Sequence, residues 1–165
     1  MKRLWSPWRM TYIESSTQET GCIFCNRLEE DDGPGNLILL RGKNTFLILN
    51  RYPYTNGHMM VVPYQHTNSL ELLQDDTLSE MMQYTKLALR LLREEYGAHD
   101  FNVGINIGEA AGAGVADHVH IHVVPRWAGD TNFMSTTAET RVLPESLEQS
   151  YSRIKARLKD LNSTQ

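Results

Sequence analysis

The chain has 165 residues, 41% of them apolar and 22% charged, with a formal net charge of −4. That size and balance suit one globular domain with a core of its own, expected to span residues 1–165. The mild negative charge gives no support for a nucleic-acid or membrane surface, while leaving room for a local basic pocket.

Residues 1–20 show no clean period. Basic residues open the chain but no apolar stretch follows them, so the start does not read as a signal peptide. No apolar run reaches transmembrane length either, and both features point to the cytoplasm. Trp5, Trp8, Met10, Tyr12 and Ile13 suggest an irregular arm that packs through aromatic anchors, on its own core or on a partner subunit. Cys22 and Cys25, the only cysteines, follow Gly21 as one Cys-x-x-Cys in a stretch that is not obviously helical. A thioredoxin-like dithiol would open a helix behind a strand, and that context is missing. Two thiolates at this spacing form half of a tetrahedral zinc site that histidines elsewhere can complete; buried, unliganded cysteines are the alternative.

Residues 29–36 form a polar loop. Two strands follow, 37–40 and 45–49, joined as a hairpin through Arg41-Gly42-Lys43-Asn44. A turn over 52–57 leads to a third strand, 58–62, ended by Pro63. Thr77 and Glu80 read as a capping box. Behind it Leu78, Met81, Met82, Thr85, Leu89, Leu92 and Tyr96 mark one stripe of a long helix that ends before Gly97. Residues 101–107 form a fourth strand, with Gly104 tolerated at some cost. A loop rich in glycine and alanine, 108–114, precedes the fifth. Near the end, Leu147, Tyr151, Ile154, Leu158 and Leu161 mark a C-terminal helix over about 145–161. Short turns between successive strands, with one long helix, favour an α+β fold with a mainly antiparallel sheet.

The fifth strand carries the chemistry. Asp117-His118-Val119-His120-Ile121-His122-Val123-Val124 alternates polar and apolar residues up to Pro125, which closes it. Period 2 places His118, His120 and His122 on one face, roughly 6–7 Å apart, and Val119, Ile121 and Val123 on the other. Three imidazoles in register gain nothing as a solvated surface, so an anionic group or a metal is expected against them. Neutral imidazole is a good nucleophile at pH 7 and its phosphoramidate passes a group onward. The middle histidine is best placed for that, with one neighbour fixing structure and the other meeting phosphate. The small-residue loop before the strand can bring backbone N–H groups to phosphate oxygens, or can be a tight connection only.

His118-Val119-His120-Ile121-His122-Val123-Val124-Pro125 resembles the defining signature of the histidine triad nucleotide-binding family. Leu4-Trp5-Ser6-Pro7-Trp8-Arg9, Gly21-Cys22-Ile23-Phe24-Cys25, Gly57-His58 and the run from Pro125 to Phe133 are similar to its diadenosine tetraphosphate phosphorylase and hydrolase branch. The resemblance implies a five-stranded sheet with one long helix and a C-terminal helix, joined across a twofold into a homodimer. It implies a nucleotide or dinucleoside polyphosphate as substrate, with His120 as nucleophile and His122 on phosphate oxygens. Asn50 would hold the ribose hydroxyls, with His58 as the supporting histidine. In zinc-bearing members Cys22, Cys25, His66 and His118 would hold one structural zinc per chain; no organic cofactor is implied. Many members place Gly-Gln-Ser or Gly-Gln-Thr before the triad, where this chain has Ala113-Gly114-Val115. Phosphate contacts must then come from backbone N–H groups around Gly114, from Asn106, or from the segment after Pro125.

Nucleotidyl-His120 resolved by phosphate makes a phosphorylase, and by water a hydrolase; overall resemblance favours the former. A non-catalytic nucleotide-binding protein would not need His120, and a purely structural zinc module would leave His120 and His122 without work. His99 reads as structural or exposed. Trp127 can stack on a base or pack a partner. Arg126 can meet phosphate or be an ordinary surface arginine, and Asp117 can orient a histidine or cap the loop.

Overall fold

The computed structural model describes residues 21–130 and 145–163; the aromatic arm expected before residue 21 lies outside them. Among the described residues three α-helices, α1 (Ile23–Leu28), α2 (Asp75–Tyr96) and α3 (Leu147–Ser163), accompany five strands. The strands are β1 (Ile38–Arg41), β2 (Thr45–Leu49), β3 (Met59–Pro63), β4 (Asp100–Ile105) and β5 (Ile121–Arg126). They form one sheet in the order β1-β2-β3-β5-β4, antiparallel at every pairing. The expected α+β architecture is present, and the histidine strand lies inside the sheet between β3 and β4. None of the helices among the described residues is long and apolar enough to cross a membrane.

Register sorts the two faces. Ile48, Met60, His122 and Gly104 share one row across β2, β3, β5 and β4, and the next row holds Leu47, Val61, Ile121 and Ile105. Because successive side chains alternate, His122 sits on the face opposite Ile121 and Val123. Helix α2 packs over β2, β3 and β5, while Met81, Ala88, Leu91 and Leu92 join the core with Val61 and Val123. α3 buries Tyr151, Ile154, Leu158 and Leu161 as its spacing predicts.

Several boundaries differ from the sequence reading. Leu37 does not open β1: it adopts a left-handed φ of 64°, which costs a side-chain-bearing residue about 1–2 kcal/mol. It is held there by burial and by the Leu49 N–H donating to its carbonyl. β4 stops at Ile105, so Asn106 and Ile107 belong to the following loop. β5 begins at Ile121 and runs through Pro125 rather than closing before it. Beyond Val123 the strand pairs only with β4, an edge-like position where a missing N–H is tolerated. Ahead of Ile121, the Val119 N–H leaves the ladder and donates to Thr67 O at 2.7 Å.

The capping box at Thr77 and Glu80 is not formed. α2 begins two residues earlier, with Gln74 at its N-cap and Asp75 and Asp76 in the first turn facing the positive end of the helix dipole. Glu80 turns instead to the β1–β2 hairpin, where it accepts from Lys43 N (2.8 Å), Asn44 N (2.6 Å) and Thr45 Oγ1 (2.7 Å). Burial works against its ionisation, yet these donors win and hold its carboxyl below the usual range. A capping box does form at α3, where Ser146 Oγ accepts from Gln149 N and Gln149 Oε1 from Ser146 N. Met82 stands 60% exposed, so the buried stripe runs through Met81, Thr85, Ala88 and Leu92 instead. The helix stops at Gly97, whose φ of 59° allows the N–H groups of Gly97 and Ala98 to reach back to Arg93 O and Leu92 O.

Glu80 therefore joins α2 to the β1–β2 turn. Glu80→Ala should strip three donors of their acceptor and cost about 1–3 kcal/mol, read as a lower urea midpoint at unchanged m-value. An unchanged midpoint would mean that water replaces the carboxylate without loss.

Candidate functional site

Two clusters meet at the head of β5. The first is built on α1, a helix in a stretch whose sequence is not obviously helical. Cys22 occupies the N-cap with extended backbone and no side-chain capping bond, and Cys25 lies in the first turn. A six-residue helix between a loop and a glycine leaves little apolar period to read, which is why the sequence hides it. The ligand atoms of Cys22, Cys25, His66 and His118 all lie within 4.8 Å of one another. His118 Nδ1 is 3.3 Å from Cys22 Sγ and 3.8 Å from Cys25 Sγ, and His66 Nδ1 is 3.5 Å from Cys25 Sγ. A tetrahedral ion with Zn–S of about 2.3 Å and Zn–N of about 2.0–2.1 Å would set sulfur–nitrogen edges of about 3.5 Å.

The tautomer agrees. His118 Nε2 donates to Pro63 O at 2.8 Å, so its Nδ1 carries a lone pair toward the sulfurs. Burial pushes His118 down to about 4, keeping it neutral, as a ligand must be. Burial raises the Cys25 thiol, and Cys22 beside it adds to the rise; a bound cation would reverse that balance. The four donors thus form a candidate metal centre of the composition that the family resemblance implied, with His66 exposed at the rim.

The second cluster follows along the strand. His120 is 3% exposed, and its Nδ1 donates to the His118 carbonyl at 2.8 Å, which leaves the lone pair on Nε2. His58, fully buried, accepts at Nδ1 from Tyr54 N (3.2 Å) and Asn50 Nδ2 (3.3 Å). Its proton is therefore on Nε2, which faces His122 Nδ1 at 3.0 Å. His122 in turn must carry its own proton on Nε2. A chain of fixed tautomers thus runs from Asn50 through His58 to His122, ending in an N–H donor beside the His120 lone pair. The His120 and His122 rings stand edge-to-face at 4.7 Å.

Burial keeps this group uncharged. It takes His58 down to about 3, with His122 and His120 reinforcing, and His122 down to about 4, with His120 reinforcing. His120 is also lowered by burial, its bond to the His118 carbonyl opposing.

Two residues had no assigned role in the sequence reading. Phe24, 1% exposed, packs edge-on against His118 at 5.4 Å and His120 at 4.9 Å, so the helix bearing the cysteines also walls the second cluster. The apolar pair Ile23-Phe24 between the two cysteines was the available signal. Tyr54 lies over His58 at 4.8 Å, and only the tertiary turn shows it.

Other expected residues fall as follows. Asn50 does sit beside His58, with its Oδ1 accepting from Tyr52 N. Ile105 pairs with Ile121, so Asn106 emerges level with His120; its amide donates to Gly112 O at 3.5 Å. Gly114 lies exposed in the loop that enters the triad segment. Arg126 is bound by Asp130 at 2.6 Å and by Asn102 at 2.7 Å, so its guanidinium is engaged by protein partners. The Trp127 indole donates to Tyr96 O at 3.3 Å, at the end of α2. His99 is exposed, its carbonyl accepting from Arg93.

Residues 35–129, more than half the chain, match the HIT domain family. The chain belongs to that family. An AP-4-A phosphorylase of Mycobacterium tuberculosis is 38% identical over 157 residues, covering 89% of this chain and 79% of its own length. A zinc-bound histidine triad protein of Mycobacterium smegmatis superposes with a TM-score of 0.70 at 30% identity, over 88% of this chain and 98% of that one. A histidine triad nucleotide-binding protein of Sulfolobus tokodaii gives 0.68 at 27% identity, over 86% and 94%. With its histidine constellation in place, this HIT chain has the equipment of an enzyme of the family's general nucleotide-binding and hydrolytic kind.

The buried neutral histidines link stability to pH. An unfolded histidine titrates near 6.5, whereas His58 and His122 stay neutral down to about 3 and about 4. Below pH 6.5 the unfolded chain takes up protons that the folded chain refuses. Their contribution is therefore complete above 6.5 and lost as pH falls toward 4, at up to about 1.4 kcal/mol per pH unit for each. Denaturant unfolding between pH 7 and 4.5 should show this slope, and His122→Asn should make it shallower by one histidine's share. Equal slopes in parent and variant would contradict the buried neutral state of His122.

Proposed function

We propose that this HIT protein is a nucleotidyl-transfer enzyme that cleaves dinucleoside polyphosphates such as diadenosine tetraphosphate, with phosphate as the acceptor. The observation that carries the reading is the His120 Nδ1–H to His118 carbonyl bond, which leaves Nε2 unprotonated beside a donor. His120 Nε2 attacks the α-phosphorus, forming an N–P bond as the bond to the bridging oxygen breaks. The leaving nucleotide takes that electron pair. His122, with its Nε2–H aimed by His58, donates to a phosphate oxygen as charge develops there. Inorganic phosphate then attacks the nucleotidyl-histidine, so the adenylyl group leaves as ADP and His120 is regenerated.

Asn50 holds the ribose hydroxyls. Asn106 and the backbone around Gly114 supply contacts that a glutamine side chain gives elsewhere. The phosphorylase choice over hydrolysis is supported by the 38% identity to the mycobacterial AP-4-A phosphorylase. One zinc per chain is assigned to Cys22, Cys25, His66 and His118 on the fit of donor type, tautomer and spacing. When bound it supplies rigidity rather than reactivity, since it leaves His120 outside the ligand set.

Quenching during turnover of radiolabelled diadenosine tetraphosphate should trap an acid-labile adenylylated protein. His120→Gly should abolish both turnover and adduct while keeping nucleotide binding and zinc content. His122→Ala should slow turnover by roughly 10²–10³-fold, because a transition-state donor is lost and the nucleophile survives. His118→Ala should act through lost metal and lower stability. Parental turnover in the His120 variant would exclude the covalent route, and ATP with AMP in place of ATP with ADP would make water the acceptor.

We also propose a twofold dimer. Among the described residues β4 has a neighbour on one side only and exposes Val103 at 47%, and an open edge of this kind favours pairing with a second copy. Light scattering should give about twice the chain mass; the monomer mass would refute the dimer.

A further inference from the structure

The Cys22/Cys25 pair has a property that metal holding alone does not use. The thiols stand at the N-cap and in the first turn of a short helix, on atoms within 4.8 Å of each other, and both residues are partly exposed. Their fellow donor His66 is exposed at the rim of the cluster. The inner donor, His118, is fully buried, and its carbonyl is the group that aims His120. What happens to the sulfurs is thus one residue's backbone away from the nucleophile, and Phe24 between the cysteines touches both rings.

We infer that Cys22 and Cys25 are a reversible modification site, at which peroxide converts the dithiol to a disulfide, expels the metal and switches the enzyme off. The inference rests on the metal assignment made above. Chemically, one thiolate attacks a peroxide oxygen and becomes a sulfenic acid as hydroxide leaves. The second thiolate then displaces hydroxide from that sulfur to form the S–S bond. Two electrons pass from the sulfurs to one peroxide, which ends, with two protons, as two waters. Closure requires the sulfurs to approach to bonding distance, a movement α1 can absorb because it is a single short helix at the surface. The two lost ligands leave His66 and His118 unable to hold the ion by themselves. His118 then loses its anchor on the sulfur side, and the carbonyl that orients His120 shifts with it. A dithiol reductant restores the thiols, and added zinc restores the site.

Peroxide in modest excess over the zinc-loaded protein should release close to one zinc per chain to a colorimetric chelator. Mass spectrometry should find the Cys22–Cys25 peptide lighter by two hydrogens. Activity should fall by about tenfold or more, the scale of loss when support behind a site is removed. Dithiothreitol with zinc should return all three readings. Because the chain has only these two cysteines, any loss reversed by dithiothreitol must pass through them, and methionine oxidation would not be reversed. Cys25→Ser should no longer give the peptide lighter by two hydrogens, and Cys22→Ser with Cys25→Ser should give an activity that no longer shows a dithiothreitol-reversible response to peroxide. Untreated protein without zinc would overturn the metal assignment, while the disulfide and activity readings would still decide the switch in metal-free protein. Zinc retained under peroxide with intact thiols, or a disulfide-bonded protein at full activity, would overturn the inference itself.

Discussion

The structure turns on His118, because one residue joins two chemistries. Its Nε2–H is fixed on Pro63 O and its Nδ1 faces two sulfurs, while its carbonyl accepts from the His120 ring. A side chain anchored at both nitrogens holds its backbone, and that backbone sets which nitrogen of His120 is free. The burial of all these groups strengthens each hydrogen bond and penalises any that is missing. This is also why the Val119 N–H leaves the sheet for Thr67 O: the segment ahead of β5 must bend toward the cysteines before the ladder with β3 begins.

The second constraint is neutrality. His58, His118, His120 and His122 are packed too closely to be charged together, and desolvation removes the remaining incentive. Neutral histidines act as one donor and one acceptor each, so every ring's tautomer follows from its neighbour's. The Tyr54 backbone N–H has no alternative protonation state, and it therefore sets the order for His58 and then His122. On the proposed reaction, this gives a nucleophile and a donor side by side without relying on the solution pKa of imidazole.

Much of this was legible in the sequence, and the omissions have physical causes. Alternation identified the triad face because period 2 survives even where His118 and His120 precede the ladder proper. The long helix and α3 were legible from apolar spacing, since burial on one side leaves a stripe. Glu80 was misread because a threonine and a glutamate three apart look the same whether they cap a helix or reach across to a hairpin. Only the position of the Lys43–Thr45 turn separates those cases, and that is a tertiary fact. The helical setting of Cys25 was hidden by length, and the stack of Tyr54 on His58 by the turn that folds four residues back on themselves.

The loop before the triad shows how a missing side chain changes the argument rather than ending it. Residues 113–115 offer no polar side chain, and Gly108 and Gly112 adopt φ of 84° and 83° in a turn closed by its own backbone, with Ala111 N and Ala113 N donating to Gly108 O and Gly112 N to Glu109 O. The pairing of Ile105 with Ile121 brings the head of this loop level with His120. On the proposed reaction, the phosphate chain is then met by main-chain donors of this connection, with Asn106 at its base. Main-chain donors read charge and spacing rather than the identity of a leaving group. Such a loop suits a long polyphosphate, with several equivalent oxygens, better than the single phosphoramidate that a precisely placed glutamine would select.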